Sequence, residues 1–277
     1  MLSINTEYYK PQNIKEATEL FFSLKAEDKR PIYYSGGTEI LTLERLNLIQ
    51  AGALIDIKGI PECTTFEIRD NLLILGSALP LTSIEEKNLF PLLTKTSMGI
   101  ADRTARNKIT LGGNICGIIF YREAVLPFLL TNSFVKIADT NGEQQVPIHD
   151  VFNQTLQLKE GQFLTQVLTE KVDLQLPFIS VKKRQQWETG YPLLTIASMK
   201  KENQLRFAFS GLCPFPFRSS QMEAELNKTE VPVEERITKA IEHIPHPILD
   251  DLEGSKDYRL FVLRNTLTDI FFEMEGK

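Results

Sequence analysis

Ser35-Gly36-Gly37-Thr38-Glu39 and Thr110-Leu111-Gly112-Gly113-Asn114 are the stretches whose reading decides the fold. Each sets a pair of glycines after an apolar or loop segment, next to a hydroxyl and a carboxylate or amide side chain. Glycine permits positive φ and close approach to the main chain, so a run of backbone amides can grip an anion without a dedicated lysine. A glycine pair on its own is most often only a turn. The neighbours make these two a set: Tyr33 and Tyr34 lead into the first, and Arg103, Arg106 and Asn107 lead into the second. The chemistry on offer is a pyrophosphate cradle in two halves. Its donors are the amides of Gly36, Gly37, Thr38, Gly112, Gly113 and Asn114, with the hydroxyls of Ser35, Thr38 and Thr110 beside them.

Working outward, Asn13 and Glu16 make a capping box for a helix over 14–25, whose Ile14, Ala17, Leu20, Phe21 and Leu24 share a face. Residues 31–34 read as a strand running into the first turn, 39–48 as a helix and 53–57 as the next strand, giving a small β-α-β lobe. Beyond it, 66–69 and 72–75 flank Asp70-Asn71 as a hairpin, Thr82 with Glu85 predicts a second capping box, and 91–101 a helix. A hairpin around Asn141-Gly142 and a strand over 163–169 complete a larger mixed lobe. From near Val172 a third region follows: a hairpin around Glu202-Asn203, then helices over 221–226, 233–243 and 255–272. Tyr258, Phe261, Leu267, Ile270 and Phe271 of the last helix read as packing on that hairpin. No internal repeat or low-complexity tract is visible.

A chain of 277 residues with 42% hydrophobic content has the length for about two domains and a sizeable core. Its net charge of -5 and lack of a basic stripe argue against a nucleic-acid partner. The one dense cationic run, Lys182-Lys183-Arg184, followed by Trp187 and Glu188, reads as a solvated strand edge. No apolar stretch has the length to span a bilayer and the N-terminus is too polar for a secretion leader, so the expected location is the cytoplasm. Cys63, Cys116 and Cys213 are odd in number and far apart, which disfavours a disulfide framework or a four-thiolate metal set. His149 stands alone and His243-Ile244-Pro245-His246 is broken by proline, so no metal site is expected. No Gly-x-Ser-x-Gly nucleophile elbow exists, and no catalytic side chain is assigned.

With these residues in view, the chain resembles the flavin (medium) subunit of the molybdenum hydroxylases, the family of xanthine dehydrogenase, carbon monoxide dehydrogenase and aldehyde or nicotinate dehydrogenases. Its first loop usually reads Ala-Gly-Gly-Thr-Asp, here Ser35-Gly36-Gly37-Thr38-Glu39 followed by Ile40. Its second reads Arg-Asn-x-x-Thr-Ile-Gly-Gly-Asn-Ile, here Arg106-Asn107-Lys108-Ile109-Thr110-Leu111-Gly112-Gly113-Asn114-Ile115. Leu54-Ile55-Asp56-Ile57, Pro216-Phe217-Arg218 and Asp257-Tyr258-Arg259 follow the family's order of lesser motifs.

The resemblance implies an α+β fold: a two-lobed PCMH-type (vanillyl-alcohol-oxidase-like) FAD-binding domain over 1–171, with lobes of about 1–57 and 58–171, followed by a smaller α+β C-terminal domain over 172–277. The flavin would lie between the lobes. It further implies FAD held by Tyr33, Tyr34, Ser35, Gly36, Gly37, Thr38, Glu39, Ile40, Arg106, Thr110, Gly112, Gly113, Asn114 and Ile115, and by Glu123 as the stand-in for an aspartate that helps hold the flavin. A molybdopterin-containing large subunit and an iron-sulfur small subunit would be partners, with electrons passing from the clusters through this flavoprotein to NAD or another acceptor. No Gly-x-Gly-x-x-Gly fingerprint follows a strand, so NAD would dock over the flavin.

One stretch departs from the family. Relatives read Ala-Ser-Pro-x-x-Asp after the second loop, whereas this chain reads Gly117-Ile118-Ile119-Phe120-Tyr121-Arg122-Glu123, with Glu123 in the aspartate's place and Phe120 or Tyr121 against the cofactor. Cys116 beside it reads as a buried packing residue. Two other functions stay open: a self-sufficient FAD oxidase, for which only Tyr34, Tyr121 and Tyr191 offer themselves as a base, and a flavin-less assembly protein, to which the altered stretch points.

Overall fold

The computed structural model describes residues 6–184 and 190–275; Trp187 and Glu188 of the sequence reading lie outside them. Two compact units divide the chain. One takes Met1–Lys87, Arg103–Ile119 and Asn132–Lys171, the other Asn88–Asp102, Phe120–Thr131 and Val172–Lys277.

In the first unit β1 (Glu7–Tyr9), β2 (Pro31–Tyr34) and β3 (Ala53–Asp56) form a parallel sheet in the order β1-β3-β2. All four residues of central β3 are buried. The first helix, α1 (Ile14–Ala26), starts where Asn13 Oδ1 accepts the Glu16 amide at 2.9 Å. Glu16 returns a bond to the Gln12 amide, one residue before the position a capping box uses. Ala17 and Leu24 are buried with Ala53, Ile55 and Phe163, and Ile14, Leu20 and Phe21 pack around them. That apolar face, rather than intrinsic propensity, is what holds such a helix in place. The second helix, α2 (Thr38–Arg45), begins at the first glycine turn. Parallel strands place their carboxyl ends together, and here the ends of β2 and β3 meet beside that turn, the usual place for a ligand on such a sheet.

The second sheet of this unit is antiparallel, built from β4 (Phe66–Arg69), β5 (Leu72–Gly76), β6 (Phe134–Asp139), β7 (Gly142–Pro147) and, later, β10 (Phe163–Glu170), in the order β4-β5-β10-β6-β7. A short pair, β8 (Phe152–Asn153) and β9 (Thr155–Leu156), precedes β10. Asp70 and Asn71 take φ of 52° and 64°, the two left-handed residues that suit a tight hairpin to strand twist. The expected box at Thr82 is absent in form: Thr82 sits inside the helix Leu81–Lys87, and Glu85 turns to Arg106. Nor is the second glycine pair a free turn, since it forms the opening of the helix Leu111–Cys116, capped by Thr110.

The second unit carries the antiparallel sheet β11 (Phe178–Lys183), β12 (Leu194–Lys201), β13 (Gln204–Ser210) and β14 (Phe217–Arg218), in chain order. Phe207, Phe209, Phe217, Leu263, Leu267, Ile270 and Phe271 form its core with the helix Lys256–Glu275. Burying each such ring contributes roughly 1.5–3 kcal/mol. Tyr258 and Phe261, expected in that packing, are instead half or more exposed, because they lie on the opposite side of the helix from Leu263 and Leu267.

Both lesser arginine motifs are structural ties. Arg218 pairs with Glu223 through both carboxylate oxygens and donates to the Leu129 carbonyl. Arg259, fully buried, donates to the carbonyls of Leu193, Gly211 and Gly254 and to Asp251. The solvated edge read at Lys182 is corrected. Although β11 is an edge strand, the Lys182 ammonium is buried, 2.6 Å from both Glu123 Oε2 and the Gly99 carbonyl.

Candidate functional site

The two glycine turns meet within the first unit. Ser35 Oγ lies 2.7 Å from Thr110 Oγ1, and a Cβ on Gly36 would overlap the Lys108 carbonyl oxygen, so the first turn rests directly on the segment leading into the second. Gly37 adopts φ 72° as the residue before α2, with the Tyr34 ring where its Cβ would be. Only glycine meets both demands there.

The amides are used differently in the two turns. Gly112 N–H donates to the Ser77 carbonyl at 2.7 Å, Gly113 N–H to Thr110 Oγ1 at 3.2 Å and Asn114 N–H to the Thr110 carbonyl at 2.9 Å. The expectation that these three donate to an anion is corrected in that respect. Among the described residues no protein acceptor is recorded for the amides of Gly36, Gly37, Thr38 and Glu39. Those of Gly37, Thr38 and Glu39 are among the orphan donors that begin every helix, without a side-chain cap, at the positive end of the α2 dipole, and the Gly36 amide lies just before them. Such a group of donors suits a phosphate.

Around them the other sequence-chosen residues fall into supporting positions. The Tyr33 ring stacks between Phe21 and Phe163, and its hydroxyl donates to the Gly161 carbonyl at 2.8 Å. Burial raises its phenol above the ordinary tyrosine value. Ile40 is half-buried, while Ile115 is fully buried. Glu39 accepts the amides of Ile118 and Ile119, so its carboxylate fastens the segment after the second turn to α2. Arg106 is buried and paired at 2.5 Å with Glu85, whose side chain is little exposed. Cys116, expected to be buried, is exposed.

Glu123 belongs to the second unit. Both of its oxygens are engaged: Oε2 by Lys182 at 2.6 Å and Oε1 by the Thr195 hydroxyl at 2.6 Å. A buried carboxylate needs such partners, and sequence gave no sign that they would come from strands β11 and β12. Tyr121 is also buried there, stacked on Tyr191 with ring centroids 4.6 Å apart, and its phenol is pushed up to about 12 by burial.

Lys58 is the residue sequence reasoning missed. It follows β3 in a 3-10 turn, and its ammonium lies 2.7 Å from the Ser35 carbonyl oxygen, 2.9 Å from Asp56 Oδ1 and 4.5 Å above the Tyr34 ring centroid. Asp56, 1% exposed, accepts the Lys58 amide on Oδ1 and the Tyr8 hydroxyl on Oδ2. That bond holds the Tyr8 phenol up to about 12. The only available signal was the position of Asp56-Ile57-Lys58 just past a strand of a parallel sheet.

Comparison with known proteins gives the family and the fold. The family described as FAD binding domain in molybdopterin dehydrogenase matches residues 3–169. The carbon monoxide dehydrogenase medium chain of Hydrogenophaga pseudoflava is 26% identical over 274 residues, spanning 94% of this chain and 93% of its own. The nicotinate dehydrogenase FAD-subunit of Eubacterium barkeri is 22% identical over 176 residues, spanning 60% of this chain and 59% of its own. A solved carbon monoxide dehydrogenase structure from Hydrogenophaga pseudoflava superposes with a TM-score of 0.86 at 22% identity, covering 97% of this chain and 96% of that one. The architecture is the expected α+β, PCMH-type fold.

Proposed function

Because this chain belongs to the family of FAD-binding domains in molybdopterin dehydrogenases, we propose that its paired glycine turns hold the pyrophosphate of FAD and that it carries electrons between a molybdenum partner and an external acceptor. Its cofactor is FAD, and it is the FAD-binding subunit of a molybdenum hydroxylase-type dehydrogenase, an oxidoreductase component. The observation that carries the site assignment is the set of unengaged amides from Gly36 to Glu39 at the start of α2. Several hydrogen bonds to a charged group, at roughly 1.5–3 kcal/mol each, suffice to hold a cofactor noncovalently.

In this reading Gly36, Gly37 and Thr38 donate to phosphate oxygens. Ser35 and Thr110 hold the turns together, and Gly112, Gly113, Asn114 and Ile115 give the second turn its shape. Tyr33, Glu39, Ile40 and Arg106 fix the surrounding frame, while Tyr34 borders the cradle. Glu123 acts within its own unit as the counter-charge of Lys182. The functional division falls at 171/172, where the chain makes its last crossing from the first unit to the second. Bound FAD supplies the redox chemistry, and the protein positions it and sets its surroundings.

The proposed partners are a molybdopterin-containing large subunit and an iron-sulfur small subunit, as in a xanthine dehydrogenase-type assembly in the cytoplasm, with NAD or another acceptor taking the electrons. Among the described residues no helix is long and apolar enough to cross a membrane. Burial pushes the Tyr121 phenol further up from the ordinary tyrosine value, away from the range that suits a general base near neutral pH.

The test is reconstitution. Apoprotein titrated with FAD should turn yellow at about one flavin per chain, and acid precipitation should release that flavin into the supernatant. A colourless protein that takes up no FAD would overturn the assignment.

A further inference from the structure

Lys58 holds a carbonyl rather than an open position. Its ammonium is bonded to Ser35 O at 2.7 Å and Asp56 Oδ1 at 2.9 Å and faces the Tyr34 ring, so three protein groups fix it on one side while the lysine itself stays exposed on the other. The Ser35 carbonyl and the Gly36 N–H belong to one planar trans peptide, in which the two bonds point in opposite directions. Fixing the oxygen therefore fixes the aim of the Gly36 amide. Peptide units beside glycine are the ones whose orientation the chain itself determines least, because no Cβ restricts the flanking dihedrals. A turn that must present its amides in one direction needs something outside the turn to set it.

We propose that Lys58 is a positioning residue that pins the Ser35–Gly36 peptide so that the amides of the first turn face the FAD pyrophosphate, with Asp56 and Tyr8 holding Lys58 in place. The chain of contacts runs from the Tyr8 hydroxyl to Asp56 Oδ2, from Asp56 Oδ1 to the Lys58 ammonium, and from there to the Ser35 carbonyl. The four residues joined by these three contacts come from different places in the fold: β1, the end of β3, the turn after it, and the residue just past β2. The carboxyl edge of the parallel sheet thus sets one peptide of the binding turn. An ordinary half-exposed ion pair contributes little. Here the anion is almost wholly buried, and the lysine's second bond is to the main chain, so the consequence is directional.

The proposal rests on the FAD reading of the turns, and the experiment separates the two. Apoprotein of the wild type, Lys58→Met, Lys58→Gln and Lys58→Arg is titrated with FAD by flavin fluorescence at fixed ionic strength, and each apoprotein is melted without flavin. Lys58→Met and Lys58→Gln are expected to bind FAD about tenfold more weakly. Lys58→Arg, which can still donate to the Ser35 carbonyl, should recover most of the loss. Lys58→Met and Lys58→Gln also take the cation from the buried Asp56 carboxylate and should lower the apoprotein melting point, so the titrations are run at a temperature where circular dichroism shows every variant folded, and the recovery of affinity in Lys58→Arg is the result a general loss of stability would not produce. Wild type that binds no FAD overturns the reading of the turns. Wild type that binds while Lys58→Met and Lys58→Gln bind within twofold of it, or an arginine variant as weak as methionine, overturns the proposal alone.

Discussion

The two glycine turns have nearly the same composition and opposite uses of their main chain. In the turn at Gly36-Gly37 the amides have no protein acceptor among the described residues, and one glycine takes a left-handed backbone. The turn at Gly112-Gly113 keeps its glycines out of the left-handed region and has its amides engaged by Ser77 and Thr110. What separates them is supplied by other strands. The Ser77 carbonyl after β5 satisfies the second turn, while Lys58 after β3 takes the carbonyl side of the first and leaves the amide side open. A paired-glycine motif marks where backbone is accessible; its surroundings decide whether that backbone binds a ligand or the protein.

The contrast predicts that damage at the second turn appears as lost stability and damage at the first as lost binding. The largest effect is expected from Glu85→Ala, which takes from the buried Arg106 guanidinium the carboxylate 2.5 Å away. Removing one member of such a pair costs about 3–5 kcal/mol, read as a large fall in denaturation midpoint. An unchanged midpoint would mean that the second turn is not fastened through this pair.

Next comes Gly37→Val. A β-branched residue at φ 72° carries about 2–3 kcal/mol of local strain and collides with the Tyr34 ring. FAD affinity should fall about 100-fold while the chain remains folded, measured by titration alongside circular dichroism. Gly113→Ala, on ordinary backbone with its new Cβ 2.8 Å from Thr110 Oγ1, should weaken binding far less. Equal losses in the two variants would erase the distinction between the turns.

The smallest effect is alkaline and belongs to the first turn's support. The Tyr8 phenol rises to about 12 in the folded chain, from an ordinary value near 10, because it donates to Asp56. A raised folded value stabilises the protonated form, so its contribution is complete below about pH 10 and disappears as pH climbs through about 12. The stability difference between wild type and Tyr8→Phe should therefore shrink over that interval. A constant difference would detach Tyr8 from the cluster.

Sequence made the turns themselves legible, along with the helix capped by Asn13 and the hairpins at Asp70-Asn71 and Glu202-Asn203, because local chemistry determines each of them. It was silent about β1, where Glu7-Tyr8-Tyr9 is too short to show alternation and pairs only because β3 offers an edge. The partners of Glu123 were equally hidden, since Lys182 and Thr195 arrive from strands far along the chain. Amide availability in the turns depended on Ser77 and Lys58, neither of which belongs to a motif.

Each unit is assembled from three separate lengths of chain, and this bears on the order of events at the ribosome. Asn88–Asp102 and Phe120–Thr131 emerge early, yet the strands that cover them, β11 to β14, are all made after Lys171. Until then Phe90, Leu92, Leu93, Phe128 and Leu129, buried in the finished protein, have no permanent cover. Exposed apolar segments of a nascent chain are the ones that aggregate or recruit chaperones. A fragment ending at residue 171 would keep them in that state, so the flavin-binding half should be expressed with its C-terminal remainder attached.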